Sequence, residues 1–269
     1  MKRKLNLVGN TFTHLTNGNK GYSCHGKESQ YIKWVKDGAE STFYIDNTIN
    51  NGIQDGRRGL KYLWLLESKF IKPGLVESIL ENRQIVEDTY EIIFTHDQRL
   101  LALGDKYKWC PAQGFWIKEP KIYEKSKMIS MISSNKQMCE GHRLRLEWVD
   151  RIGDQVDLYG RGFNEIADKE EGLCDYMFSV AIENGQYGTY FTEKLLDCFA
   201  TGTIPVYLGA PDVGNYFNKD GIIDLSEEFD ISEEIYYSKM DAIKDNLERA
   251  KKMEVLEDFI YENYLKEKI

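Results

Sequence analysis

The chain has 269 residues, 42% hydrophobic and 13% aromatic, enough to bury one large core or two modest ones and too apolar for a linker or tail. A net charge of −9 excludes a general nucleic-acid-binding surface, so any anionic ligand must be met by a local basic site. No apolar run approaches the ~18 residues of a membrane span, and the run Leu5–Val8 is too short for the core of a signal peptide, so the chain reads as soluble and cytoplasmic. The five cysteines show no C-x-x-C spacing, and His14, His25, His96 and His142 are scattered. Neither a disulfide scaffold nor a zinc ribbon has that pattern, and no metal site is expected.

In chain order, nine short apolar runs each end in polar or glycine residues. They are Leu5–Val8, Thr42–Ile45, Tyr62–Leu66, Ile92–Phe94, Met128–Ile132, Val156–Tyr159, Phe178–Ile182, Ile204–Leu208 and Ile222–Ile223. Most lack in/out alternation, which is the pattern of strands covered on both faces and therefore of parallel sheets. Helical segments fit between them at 27–36, 75–82, 141–152 and 192–201, and alternating strands and helices predict an α/β doubly wound architecture. The stretch Cys110–Pro120, with two prolines and a glycine, divides four runs from five and predicts two similar-sized halves. After Asp230, Ser232 can cap a helix carrying Tyr236, Met240, Ile243, Leu247 and Ala250 as one stripe. A second helical stretch carries Leu256, Phe259, Ile260 and Tyr264, and both are expected to pack across the halves.

In such sheets ligands gather outside the carboxyl ends of the strands. The stretch 176–211 concentrates that geometry: a buried strand, a polar loop, a short helix and a second strand. Thr192 can cap the helix, Leu195, Leu196 and Phe199 lie on one face, and Gly202 stands at the C-cap. Unpaired N–H groups at the helix start favour an anion by about 0.3–2 kcal/mol. Lys194 adds a full charge suited to a diphosphate, and Glu193 can accept from a hydroxyl. The same two residues would also fit an ordinary solvated first turn.

Ala181-Ile182-Glu183-Asn184, then Tyr190 to Leu195, then Gly202 to Gly209 resemble the donor-binding motif of glycosyltransferase family ten, the α1,3/4-fucosyltransferases. The resemblance covers residues 125–225 and weakens toward the N-terminus. It implies a GT-B fold of two facing Rossmann-like domains. Residues 1–118 would form the acceptor-side domain, 119–232 the nucleotide-sugar domain and 233–269 the terminal helices. It also implies GDP-fucose as donor substrate with no cofactor, inversion at the transferred carbon and no metal-binding Asp-x-Asp. The segment from Ser133 is similar to the one in which an arginine faces the donor phosphates; Arg145 aligns better than Arg143, and both stay candidates. Tyr62–Ser68 is similar to the family's strand ending in Glu-Ser-Pro, with Lys69 in place of the proline. Glu67 is then the expected base, with Asp97 or His96 in reserve. Glu183 and Asn184 are expected to bind the sugar or brace the loop, Glu193 to hold ribose or sugar hydroxyls, Thr192 to belong to the donor-binding set, and Tyr187 and Tyr190 to pack on the donor. The implied acceptor is a glycan or lipid-linked saccharide reached from the cytosol, with peripheral membrane contact left open. Two other readings remain: a GT-B transferase for another nucleotide sugar, and a glycan- or nucleotide-binding protein without catalysis.

Overall fold

The protein, for which we use a computed structural model, is described at residues 2–9, 22–24 and 27–268; His14 and His25 lie outside the described residues. The chain forms two compact units, residues 1–114 with 253–269, and residues 115–252.

The first unit is built on a six-stranded sheet. Its strands are β1 (Arg3–Val8), β2 (Ile32–Val35), β3 (Thr42–Ile45), β4 (Lys61–Trp64), β5 (Ile92–Thr95) and β6 (Tyr107–Trp109), in the order β2-β1-β3-β4-β5-β6. Every pairing is parallel. Helices α1 (Ile49–Gln54), α2 (Leu75–Glu81), α3 (Arg83–Thr89) and α4 (Gln98–Leu101) occupy the connections. Successive residues serve opposite faces: Tyr44, Leu63 and Ile93 join Ile79, Val86 and Tyr90 in one core. Phe43, Tyr62 and Phe94 form an aromatic layer on the other, where Phe94 meets Tyr264 at 5.7 Å between ring centroids. Covering both faces is why these strands carry continuous apolar runs rather than alternation.

The helix expected at 27–36 is not formed. Ile32–Val35 is an edge strand in parallel register with β1, from Arg3↔Ile32 to Asn6↔Val35. Ile32 and Trp34 are buried while Lys33 is exposed, a period of two that β-branched and aromatic residues favour in a half-covered strand.

The second unit holds β7 (Lys127–Ile132), β8 (Asp157–Tyr159), β9 (Tyr176–Ile182), β10 (Ile204–Leu208) and β11 (Ile223–Asp224), in the order β11-β10-β9-β7-β8. All pairings are again parallel. Between them lie α5 (Glu140–Ile152) and α6 (Glu193–Thr201), and α7 (Glu233–Ser238) and α8 (Met240–Lys251) follow. Ile129, Met131, Phe178, Val180, Ile204 and Val206 form the core with Tyr236 and Ile243. Gly202 ends α6 at φ +71°, a conformation costly for any residue with a Cβ, and a Cβ there would come within 2.9 Å of Ile122.

The terminal helices are divided rather than forming one body. The α7–α8 stripe stays in the second unit, whereas α9 (Leu256–Ile260) and the π-turn Tyr261–Leu265 belong to the first. Glu257 explains the return: fully buried, it accepts from the Ser23 N–H and from Trp34 Nε1, both at 3.0 Å. No described helix is long and apolar enough to cross a membrane.

Candidate functional site

The chain leaves β7 for β8 on one side and crosses back to β9 on the other, so the sheet of the second unit reverses direction between β7 and β9. Ligand sites of open α/β sheets form at that switch point, outside the strand carboxyl ends. A cavity of about 360 Å³ lies there, lined by Ile132 to Ser134 at the end of β7, Gly160 and Arg161 after β8, residues 179–182 of β9 and one face of α6. Five cations line it (Lys136, Arg145, Arg161, Lys169 and Lys194) against two acids, Glu193 and Asp197. In a chain of net charge −9 this is the local basic site an anionic ligand requires.

Arg145 reaches the cavity because α5 begins hard against the end of β9. A Cβ at Gly141 would strike the Glu183 carbonyl and Asn184, so only glycine lets the first turn approach so closely. One turn later Arg145 Nε donates to the Gly141 carbonyl at 3.1 Å and Nη2 donates to Asn184 Oδ1 at 2.6 Å. Arg145 is 6% exposed, and burial draws its pKa below the usual arginine value. Arg143, two residues or roughly 200° around the helix, is exposed and points elsewhere.

The N-terminus of α6 is built on Glu183. This carboxylate is 1% exposed and accepts from Thr192 N–H at 2.8 Å and from Thr192 Oγ1 at 2.7 Å. Burial raises its pKa, with Lys194, 3.8 Å away, opposing. Thr192 Oγ1 in turn accepts from the Lys194 N–H, a helix cap of the kind worth about 1 kcal/mol. Glu183 therefore braces the loop, and Asn184 holds Arg145. Lys194 Nζ lies 3.0 Å from Glu193 Oε1. Burial would raise the Glu193 pKa, but Lys194 and Lys169 outweigh it and hold the carboxyl well below its usual range.

Of the residues singled out in this unit, Arg145, Glu193 and Lys194 line the cavity. Arg143, Glu183, Asn184, Tyr187, Tyr190 and Thr192 are not among the described residues that do. The Tyr187 and Tyr190 rings stack on each other, 4.6 Å apart and 13° from parallel, which is packing within the loop rather than a surface presented to the cavity. Sequence reasoning missed Lys136, Arg161, Lys169, Asp197 and Trp116. Lys169 gave no sequence signal, while Asp197 gave one only in retrospect, as an acid on the buried face of an amphipathic helix.

In the first unit the sheet order sets the ends of β3, β4 and β5 side by side. Glu67 follows β4 and is half-buried. Its own N–H donates to Asp46 Oδ1 at 3.3 Å, and the Leu66 N–H donates to the same oxygen at 2.8 Å. Asp46 follows β3 at φ +45°, in the left-handed region, and is 4% exposed. Burial raises its pKa to about 6, with the two N–H donors opposing. His96 is 3% exposed with Nε2 at 3.3 Å from the Leu66 carbonyl; burial lowers it to about 4, so the ring is neutral at pH 7. Asp97 caps α4, accepting from the Arg99 N–H at 3.0 Å and from Arg99 Nε at 3.2 Å. The two reserve candidates are thus sunk and engaged with the protein's own chain, and Glu67 is the more open group.

The description "Glycosyltransferase family 10 (fucosyltransferase) C-term" matches residues 122–252. An alpha-(1,3)-fucosyltransferase FucT of Helicobacter pylori is 36% identical over 78 residues, 29% of this chain and 16% of that protein. The chain therefore meets under a fifth of that relative's length. A crystal structure of an alpha1,3-fucosyltransferase superposes with a TM-score of 0.51 at 16% identity, covering 92% of this chain and 80% of that one. A second structure, of an alpha1,3-fucosyltransferase with GDP, gives 0.50 at 15% identity, covering 93% and 81%. These likenesses agree with two parallel-sheet α/β units of the GT-B class.

Proposed function

We propose that the chain, whose residues 122–252 match the glycosyltransferase family 10 model, transfers fucose from GDP-fucose to a glycan hydroxyl, inverting the anomeric carbon, as an α1,3-fucosyltransferase. The observation that carries the reading is the cation-lined cavity at the β7/β9 switch point, with Arg145 and Lys194 on it in a strongly acidic chain. A solved protein of similar fold holds GDP.

In this reading the donor diphosphate lies against Arg145 and Lys194. As the bond to the sugar breaks, negative charge grows on the leaving diphosphate. Fixed cations that need no reorganisation lower that barrier, typically by a factor of ~10²–10³ for each group. The transferred carbon becomes oxocarbenium-like, and its attack by the acceptor oxygen from the opposite face inverts it. Glu193, held ionised, accepts from ribose hydroxyls. Glu67 takes the acceptor's proton, a role worth ~10²–10⁴ in rate. The acceptor is a cytosolic glycan or lipid-linked saccharide.

A thermal-shift panel of GDP, UDP, ADP and CDP tests the donor, followed by turnover of GDP-fucose against an acceptor array. A shift with GDP alone and fucose transfer support the reading. A shift with UDP alone moves it to another nucleotide sugar, and no shift with any nucleotide rejects it.

A further inference from the structure

Four charged side chains of the cavity form a string. Lys194 Nζ lies 3.0 Å from Glu193 Oε1, the same oxygen lies 3.6 Å from Lys169 Nζ, and Lys169 Nζ lies 2.5 Å from Asp197 Oδ2. Glu193 and Asp197 are one turn apart on α6, so both face the same side. Lys169 comes from elsewhere, the 3₁₀ turn Lys169–Gly172 between β8 and β9. Asp197 is 1% exposed, and its Oδ1 accepts the Trp116 N–H at 2.6 Å. The Lys169 ammonium also lies 4.7 Å from the centre of the Trp116 ring. Asp197 is therefore locked by a backbone donor, and it locks Lys169 in turn. The outcome is two cations converging on one oxygen of Glu193.

Thr192 already caps α6, so this arrangement is not what closes the start of that helix. Its effect falls on Glu193. The charged groups around that carboxylate are Lys194 and Asp197 on its own helix, Lys169 on the turn, Glu183 at the end of β9 and Arg145 on α5. Without Lys169, the acids Asp197 and Glu183 would weigh more heavily on Glu193. With it, Asp197 is neutralised and Glu193 stays an ionised acceptor in one orientation.

We propose that Lys169 and Asp197 are a positioning pair for Glu193, fixing its carboxylate as the acceptor that reads the ribose hydroxyls of the bound nucleotide. This rests on the donor site proposed above. Hydroxyl recognition then depends on a residue that touches no hydroxyl, while diphosphate recognition depends on Arg145 and Lys194.

Calorimetric titration of the full chain with GDP, GMP and 2′,3′-dideoxy-GDP separates the two. The wild type is expected to prefer GDP to the dideoxy analogue by roughly 10- to 100-fold, the range for hydrogen bonds to a charged acceptor. Lys169→Met should reduce that preference to about threefold or less, leaving the preference for GDP over GMP in place, and Lys169→Arg should retain most of it. Because Lys169→Met strands a buried acid, Lys169→Met combined with Asp197→Asn is the second variant. It keeps an acceptor for the Trp116 N–H and should lose the hydroxyl preference equally. An unchanged preference in both variants, or loss of GDP and dideoxy binding in equal proportion, overturns the pair. So does a Lys169→Arg variant as indifferent as Lys169→Met. Failure of the wild type to bind GDP at all overturns the donor reading itself, and the pair with it.

Discussion

The two sheets share a strand plan, with the chain reversing between β1 and β3 in the first unit and between β7 and β9 in the second. Their carboxyl edges are used differently. In the second unit Glu193, Lys194 and Lys169 keep 16–20% of their side chains exposed around a cavity. In the first, Asp46, His96 and Asp97 are 3–4% exposed and engaged with main chain or a neighbouring arginine. A shared topology offers the same place to a ligand twice. The side chains decide whether that place is kept open or closed on itself. Glu67 is the half-buried acid at the otherwise closed edge.

The comparison breaks first at Glu67. If the edges divide the labour as proposed, Glu67→Gln should lower turnover by ~10²–10⁴ while the GDP dissociation constant stays within about twofold. Steady-state rates with GDP-fucose and calorimetry with GDP read the two quantities. Near-normal turnover removes Glu67 as base, and a matching loss of GDP affinity would mean that the first edge also serves the nucleotide.

The complementary change lies on the second edge. Arg145→Ala and Lys194→Ala should each weaken GDP binding and cut turnover by ~10²–10³, because each removes a fixed cation from the proposed diphosphate site. Arg143→Ala is the internal control, exposed on the far side of α5, and should leave both within about twofold. A larger effect at Arg143 than at Arg145 would reverse the assignment that burial and the Asn184 hydrogen bond support.

Much of this was legible in the chain. Continuous runs such as Phe178–Ile182 and Ile204–Leu208 announced strands covered on both faces, and they are. The short edge strands were not legible. Ile32–Val35 alternates over only four residues, and Tyr107–Trp109 is three residues long, so neither offers enough pattern to outweigh its flanks. Of the cavity-lining residues, Glu193 and Lys194 stand inside one contiguous motif and Arg145 in a separate similar segment, so a sequence pattern could single them out. Asp197 and Lys169 could not be singled out, because their meaning lies in a 28-residue contact between a turn and a helix face. The stacking of Tyr187 on Tyr190 is likewise a contact that no sequence pattern displays.

The smallest expected effect concerns the first edge and is thermodynamic. Asp46 has its pKa raised from 3.8 to about 6, chiefly by burial. In the folded protein it holds its proton over a range in which the unfolded chain has lost it. Its contribution to stability is therefore complete below about pH 4, declines as pH rises to about 6, and is flat above; two units correspond to about 3 kcal/mol. Asp46→Asn removes the ionisation while keeping an Oδ1 acceptor for the Leu66 and Glu67 N–H groups, and asparagine tolerates the left-handed φ. Urea unfolding followed by tryptophan fluorescence should give the variant a higher midpoint than the wild type at pH 7.5 and near-equal midpoints at pH 4. GDP affinity should not change, since the proposed donor site lies on the second edge. Parallel pH profiles for the two proteins would show that the closed edge carries no charge penalty at neutral pH, and the contrast between the edges would then rest on geometry alone.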